Sequence, residues 1–265
     1  MNTSIGKDAA TRRAEEKDTS AVKTLHKALV ILDSFAAAEM PLTVAEVAIK
    51  AGVTRPTAHR LVHTLIADGY LTQNPRDGRI SPGYSVLRLA SSLLDTNQMR
   101  LEALPHLDSL AHELGERANL GIIHRNELLY LAGVEKPSLP TIYSRFGKTA
   151  PAYCSSLGKA ILAHLPESEL NAYFAKVPLA RWTGHTVTDE ARLREEFDEI
   201  RRTGYAVDRE EHVPGLFCVA STIFLDGAPI GAIGVTARGL DPLVARVDLV
   251  QHTAEVISHV LSRGS

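Results

Sequence analysis

The sequence predicts an α+β protein: a small helical domain first, then an antiparallel sheet flanked by helices. Its 265 residues suit two modest domains better than one large one. Apolar residues recur at helical spacing in the first part of the chain, from Leu25 onward. Further on, strand-like runs come in pairs joined by short turns, and the helices form separate runs, which is typical of an antiparallel α+β fold.

Composition excludes several classes of protein. Hydrophobic residues make up 45% and charged residues 23% of the chain, as in globular proteins and unlike disordered or fibrous ones. Two cysteines cannot supply a disulfide framework. No run approaches the roughly 18 apolar residues of a membrane span, and the first residues lack a signal peptide. We therefore expect a cytoplasmic protein with no membrane partner.

Charge is distributed unevenly along the chain. Residues 1–20 are polar with no net charge and predict a disordered arm. Residues 21–85 carry seven basic and five acidic side chains, whereas the remainder is mildly acidic. The asymmetry is small, but it favours a polyanionic partner for the front of the chain.

Two short helices with a tight turn are predicted around Gly52. Thr43 and Glu46 fit a capping box at the start of the first helix, and Gly52 suits its C-terminal cap. Thr54 can cap the second helix, whose apolar stripe ends before Gly69. This arrangement is a helix-turn-helix.

The outward face of the second helix carries hydrogen-bonding and cationic side chains and no acid before Asp68. An ordinary solvated face is the alternative, but such faces usually mix acids with their cations. A basic hairpin follows over residues 70–81 and predicts a wing that contacts phosphates or the minor groove. The candidate contacts to double-stranded DNA are Thr43, Thr54, Arg55, Thr57, His59, Arg60, Arg76 and Arg79.

A helix with a broad apolar face is predicted from Tyr84 onward. This face can be covered by a second copy of the chain or by the rest of the same domain. Helical DNA-binding proteins commonly bind paired half-sites as dimers, which favours the second copy. The predicted organisation is therefore an arm over 1–20, a DNA-binding domain over 21–83, a linker and dimerisation helix over 84–99, and a ligand-binding domain over 100–265.

The last predicted hairpin has one face of small, lightly polar residues. That face leaves room for a ligand, although a core with a few satisfied hydroxyls is an equal alternative. Ser155 or Ser156 can cap the helix before it and leave backbone N–H groups for an anion.

Two other functions remain open from the residues. Ser156 and Lys159 match the S-x-x-K spacing of some acyl-transfer enzymes, which makes a hydrolase the alternative, but the companion motifs S-D-N and K-T-G are absent. A ligand sensor without a DNA role is the other. No spacing of His or Cys suits a metal, so no metal or cofactor is expected.

Several stretches resemble the IclR family of bacterial transcriptional regulators, and the likeness covers roughly residues 21–262. They are HRLVHTLIADGYL, RFGKTAPAYCSSLGKAILAHLPE, LREEFDEIRRTGYAVDREEHVPGLFCVAS and GAIGVTA. The resemblance implies a winged helix-turn-helix, a dimerising linker helix and a GAF-like domain that binds a small organic carboxylate or aromatic acid. It implies a dimer, or a dimer of dimers, on a pseudo-palindromic operator.

Carried over by position, the resemblance implies an effector pocket near Ser156, Leu157, Asp208, Cys218, Gly234 and Thr236, with Tyr143, Phe146 and Tyr153 as walls. Arg55-Pro56-Thr57 departs from the family at the start of the recognition helix, so operator sequence does not transfer. Gly234 and Thr236 replace serines of some members, so effector identity does not transfer either. A two-residue Asp226-Gly227 loop sets Cys218 opposite Val235, and a face shared by Cys218 and Thr236 requires a bulge or an odd-numbered loop.

Overall fold

A computed structural model describes residues 22–36, 38, 40–135 and 146–263. The chain divides into two compact units, the first ending at Leu93 and the second beginning at Leu94. The predicted arm over 1–20 and the predicted pocket wall Tyr143 lie outside the described residues.

The first unit is a winged helix-turn-helix. Its core joins Ile31 and Phe35 of the first helix to Leu61 and Val62 of the third and to Ile80 of the wing. Its elements are α1 (Lys23–Ala36), α2 (Val44–Lys50), α3 (Arg55–Ala67), β1 (Leu71–Gln73) and β2 (Ile80–Pro82).

The turn between α2 and α3 follows the predicted chemistry with one correction. Thr43 and Glu46 form the capping box of α2, and Gly52 takes a left-handed φ of 62° that suits glycine. Thr54 has the backbone conformation of an N-cap, but its side chain does not cap α3. Its hydroxyl lies 2.9 Å from the Thr57 hydroxyl instead, so the prediction of a side-chain cap was wrong.

The linker helix predicted over 84–99 ends earlier, at Thr96. Helix α4 (Tyr84–Thr96) buries none of its residues, and α5 (Gln98–Leu114) begins after Asn97. The chain breaks there because Asn97 adopts an extended backbone and its side chain accepts a hydrogen bond from the Arg100 N–H at 2.9 Å.

The second unit is built on a six-stranded antiparallel sheet with helices on both faces. After α5 its elements are β3 (Arg117–His124), β4 (Glu127–Val134), β5 (Thr149–Pro151), a 3₁₀ turn (Ala152–Cys154), α6 (Ser156–Leu162), α7 (Glu167–Phe174), α8 (Glu190–Thr203), β6 (Ala206–Arg209), β7 (Phe217–Leu225), β8 (Ala228–Ala237), α9 (Asp241–Val244) and α10 (Val247–Arg263). The strand order is β5-β4-β3-β8-β7-β6. Helices α6–α8 pack on one face, and α5 and α10 pack on the other.

A bulge sets the register of the β7–β8 hairpin. Next to the two-residue turn, Leu225 pairs with Ala228, but the register shifts between Ile223 and Phe224. Beyond that shift Cys218 pairs directly with Thr236. The bulge required for a face shared by these two residues is therefore present.

The two faces of this hairpin have separate partners. On β7, Val219 and Ile223 pack in the cluster that contains α5 and α10. Thr222 points the other way, and its hydroxyl donates to the Ala160 carbonyl of α6 at 2.8 Å. The small-residue face therefore lies toward α6.

Candidate DNA-binding helix and small-molecule cleft

Helix α3 presents its predicted contact residues outward. Arg55, His59 and Arg60 are exposed, and Thr57 is half-buried. The rings of His59 and His63 lie 4.8 Å apart on the same exposed face. Ala58, Leu61 and Val62 are buried on the opposite face, so packing alone determines which side of α3 meets the solvent.

Three other predicted DNA contacts already have roles within the unit. The Thr43 hydroxyl accepts the Glu46 N–H at 3.2 Å, and the Glu46 carboxylate accepts the Thr43 N–H at 2.7 Å, which lowers the pKa of Glu46. Arg79 donates to the Pro41 carbonyl at 2.7 Å and lies 3.7 Å from Glu46, with 38% of its side chain exposed. The third, Thr54, is paired with Thr57 as described.

The tip of the wing is shaped by side-chain caps. The Asn74 side chain accepts the Arg76 N–H at 2.9 Å, and the Asp77 side chain accepts the Arg79 N–H at 3.0 Å. These Asx turns fix the backbone of the tip. The Arg76 side chain is exposed at the tip.

The second unit contains a narrow cleft between the start of α6, strands β3, β7 and β8, and the segment 208–216. Its empty volume is about 390 Å³, counting the part open to solvent. The lining residues are Asn119, Tyr130, Ser155, Ser156, Leu157, Asp208, His212, Val213, Leu216, Cys218, Gly234, Val235 and Thr236.

Six of the predicted effector residues come together in this cleft: Ser156, Leu157, Asp208, Cys218, Gly234 and Thr236. The Cys218 Sγ lies 3.2 Å from the Thr236 Oγ1, and the Asn119 Nδ2 donates to that hydroxyl at 3.4 Å. Polar groups of the walls are therefore already hydrogen-bonded to one another.

The two aromatic residues expected as walls that the structure describes lie elsewhere. Tyr153 is buried, donates to the Ala180 carbonyl at 2.6 Å and accepts the Trp182 Nε1–H at 3.0 Å. Burial raises the pKa of Tyr153. Phe146 is exposed, with the Arg100 guanidinium 5.9 Å from its ring centre. Neither side chain lines the cleft.

Helix α6 begins at the cleft and is too tightly packed to shift. The Ser155 hydroxyl caps it by accepting the Gly158 N–H at 3.3 Å, and all seven residues of the helix are buried. A Cβ on Gly158 would lie 2.2 Å from the Ala152 carbonyl oxygen. The glycine thus allows a close approach of two backbones.

Lys159 is paired with carboxylates and not with a serine. Its Nζ donates to Glu211 Oε1 at 2.5 Å and to Glu196 Oε2 at 3.0 Å. Burial by itself lowers the pKa of Lys159, but the two carboxylates together raise it above the ordinary value. A protonated, doubly paired amine cannot serve as a general base, so the Ser156–Lys159 hydrolase alternative was wrong.

The described residues contain neither a membrane-spanning helix nor a cluster suited to a metal ion. No helix there is long and apolar enough to cross a membrane. No group of three His, Cys, Asp or Glu side chains in the described part of the chain is arranged to hold a metal ion.

A winged helix-turn-helix with a cationic exposed helix, joined to a second unit that contains a narrow cleft, is the architecture of a regulator of transcription. The family model of the C-terminal domain of bacterial IclR transcriptional regulators matches residues 91–259, and that of the IclR helix-turn-helix domain matches residues 24–75. The chain belongs to the IclR family of transcriptional regulators, which are not enzymes.

Characterised relatives and solved structures agree with this membership. The chain is 33% identical to the HTH-type transcriptional regulator BhcR of Paracoccus denitrificans, over 84% of this chain and 79% of that protein. It resembles the crystal structure of Thermotoga maritima IclR with 31% identity and a TM-score of 0.69, over 91% of this chain and all of that one. An IclR homologue of Microbacterium hydrocarbonoxydans, complexed with 4-hydroxybenzoate, is 25% identical with a TM-score of 0.79, over 91% of this chain and all of that one.

Proposed function

We propose that the protein is an effector-responsive regulator whose α3 reads an operator and whose cleft binds a small organic carboxylate or aromatic acid. Binding of the effector favours one placement of the DNA-binding units and so changes operator affinity. The observation that carries the proposal is the exposed row of Arg55, His59 and Arg60 on α3, which forms no ion pair with the described residues.

Recognition by α3 follows from the chemistry of the major groove. Arg55 and Arg60 can donate to phosphates or to guanine edges, and Thr57 and His59 can bond either base edges or phosphates. Thr43, Thr54 and Arg79 are further candidates for contacts to the DNA backbone. Arg79 has N–H groups beyond the one that it donates to Pro41, whereas the Thr43 hydroxyl already donates to the Glu46 carboxylate and would have to exchange that bond for a phosphate. Arg76 at the wing tip is placed to contact a phosphate or the minor groove.

The cleft suits a small effector of mixed character. Hydroxyl, thiol and amide groups of Ser156, Cys218, Thr236 and Asn119 can rearrange toward a carboxylate or a hydroxyl of the ligand. Leu157, Val213 and Leu216 supply apolar walls for a hydrocarbon or aromatic portion. The 4-hydroxybenzoate held by the Microbacterium homologue combines both kinds of group.

A second copy of the chain is the proposed cover for the apolar face of α4. Leu87, Leu89 and Leu93 are each more than half exposed, and no residue of α4 is buried. Leu25 and Leu29 of α1 are also more than half exposed. A dimer that buries these side chains would present two copies of α3 to a pseudo-palindromic operator, alone or as a dimer of dimers.

The DNA proposal is tested with Arg60→Ala and the matched control Arg192→Ala, an exposed arginine of α8. Operator fragments are selected from a randomised duplex library with the wild-type protein, and affinity is measured by mobility shift at two salt concentrations. We expect Arg60→Ala to weaken binding about tenfold or more, and the wild-type affinity to fall steeply as salt rises. Equal affinity of Arg60→Ala and wild type would contradict the proposed placement of α3.

The effector proposal is tested by thermal shift with 4-hydroxybenzoate and a panel of small aliphatic and aromatic acids. A ligand that prefers the folded state raises Tm. Thr236→Val should reduce the shift produced by any active acid, whereas Thr253→Val on α10 should not. A panel in which no acid raises Tm, or in which both variants respond like wild type, would count against this cleft.

A further inference from the structure

A buried ion group lies behind the cleft. Lys159 of α6 is 1% exposed, and its Nζ joins the carboxylates of Glu211 and Glu196. Glu211 is also buried, whereas the Glu196 side chain on α8 is one-third exposed. The ion group therefore ties α6 to α8 and to the segment that contains Glu211.

Glu211 is attached to the cleft wall through its backbone. Its N–H donates to Asp208 Oδ1 at 2.8 Å, and its carbonyl accepts the Thr186 hydroxyl at 2.6 Å. Asp208 lines the cleft, as do His212 and Val213, which directly follow Glu211. The position of the Glu211 side chain thus sets the position of this wall.

The segment needs such an anchor because its backbone is strained. Glu210 has a φ of 60°, in the left-handed region that side chains other than glycine avoid. Such a conformation persists only where the surrounding contacts impose it. Glu210 is held directly by the bond from its N–H to the Leu216 carbonyl and by the bond from the Thr183 hydroxyl to its own carbonyl. The ion pair of Lys159 and Glu211 adds a buried contact one residue away.

Stability alone does not explain the pair. Removing two charges from water is costly, and apolar residues of similar volume often replace a buried pair without loss. Glu211 Oε2 in addition has no hydrogen-bond partner among the described residues. A geometric role accounts better for a half-satisfied carboxylate in this place.

We propose that Lys159 is a positioning residue for effector binding, which acts through Glu211 to hold the wall 208–213 against the cleft. The inference rests on the proposed function of the cleft. Lys159 itself does not line the cleft, so it acts on the ligand only through this wall. Loss of the pair releases the wall while the sheet and its helices remain in place.

The test compares wild type with Lys159→Met/Glu211→Leu, which removes both charges at similar volume. Hydrogen exchange followed by mass spectrometry reports on the amides of residues 208–213. Emission of Trp182, the single tryptophan, reports on the same wall because its ring centre lies 5.3 Å from that of His212. We expect exchange over 208–213 to rise at least tenfold and the emission maximum to shift, with little change in Tm or in exchange of the central strands.

The matched control is Arg202→Met/Glu199→Leu, which removes an exposed ion pair on α8. It should change neither the exchange of 208–213 nor the emission of Trp182. Unchanged exchange over 208–213 in the folded Lys159→Met/Glu211→Leu variant would overturn the inference, because the pair would then only fill the core.

If the double variant does not fold, Glu211→Gln tests whether the ion pair holds the wall 208–213. It removes one charge at almost constant volume, and we expect exchange over 208–213 to rise about threefold or more. Exchange equal to that of wild type overturns the inference. These measurements use no ligand, so their failure is distinct from failure of the acid screen, which tests the proposed function.

Discussion

Helices α3 and α6 start after similar residues but lie in opposite environments. Each follows a threonine or serine at the N-cap, and neither has an acid in its first turn. Helix α3 exposes its polar side chains, whereas α6 buries all seven of its residues. The proposed DNA-reading surface is thus separate from the core, and the proposed ligand-binding wall is part of it.

This difference indicates which substitutions each region can tolerate. Exposed side chains away from caps and cores usually change stability by less than about 0.5 kcal/mol, so α3 can change its contacts without loss of fold. Buried residues cannot change size without a cavity or overpacking. Operator preference is therefore free to vary, while ligand preference is coupled to stability.

The largest expected effect, on the order of 3 kcal/mol, is that of Gly158→Ala in α6. Its new methyl group would lie 2.2 Å from the Ala152 carbonyl oxygen, and backbone on both sides leaves little freedom to adjust. For a unit of this size we expect Tm to fall by roughly 10 °C. Thermal unfolding measures it.

Gly184→Ala is the control for this variant, because no atom lies within 4 Å of the added methyl group. It should unfold within a degree or two of wild type. A stable Gly158→Ala variant would show that α6 is less constrained than its burial indicates, and the contrast with α3 would weaken.

The second-largest effect is on operator affinity and not on stability. Arg55→Ala removes an exposed cation from the first turn of α3, so operator affinity should fall by about tenfold and the slope of log affinity against log salt should decrease by about one. Unfolding in urea should be unchanged. A variant that binds normally, or that unfolds earlier, would break the separation between surface and core.

Thr43→Ala tests an exception to the separation between surface and core, because Thr43 is a proposed DNA contact that also caps α2. Loss of its hydroxyl bond to the Glu46 N–H should cost the first unit about 1 kcal/mol. Urea unfolding measures this, with the exposed Thr72→Ala on β1 as the control. Equal midpoints for the two variants would mean that the capping box contributes little.

The smallest effect is a pH dependence in the second unit. Burial lowers the pKa of His164, whose Nδ1 lies 2.9 Å from the Ala160 carbonyl oxygen. The unfolded chain then binds more protons, so stability is present above the unfolded pKa of about 6.5 and is lost as pH falls. A single half-buried side chain carries this effect, so we expect it to be smaller than the three effects above.

Urea midpoints at pH 7.5, 6.5 and 5.5 check this dependence. His164→Gln should flatten the dependence, and the exposed His259→Gln on α10 should leave it as in wild type. Identical curves for wild type and His164→Gln would exclude His164 as the cause.

Local signals made the helix-turn-helix and the last hairpin predictable. Caps, glycines and the apolar stripe of α3 lie within a few residues of one another, and alternation along β7 and β8 identified the face of Cys218 and Thr236. A local signal was also available at Asn97, since asparagine is a strong N-cap, but the linker helix was predicted to run past it to residue 99.

The rest of the cleft depends on contacts that sequence spacing does not show. Asn119 reaches it because β3 pairs with β8, more than a hundred residues away. His212 and Leu216 belong to an irregular segment with no periodicity to read. The Thr54 hydroxyl had two partners within reach, and only the coordinates distinguish Thr57 from the helix backbone.

The extra residue in the β7–β8 hairpin has an evolutionary consequence. Loss of the extra residue between Pro229 and Gly231 would remove the bulge and leave Cys218 opposite Thr236, because a regular hairpin with a two-residue turn then keeps the same pairs beyond Ile223. A single insertion or deletion within β7 or β8 on the far side of the bulge would instead turn the small-residue face away from α6. The pairing of Cys218 with Thr236, more than the length of the turn, is then the feature to compare between family members that bind different molecules.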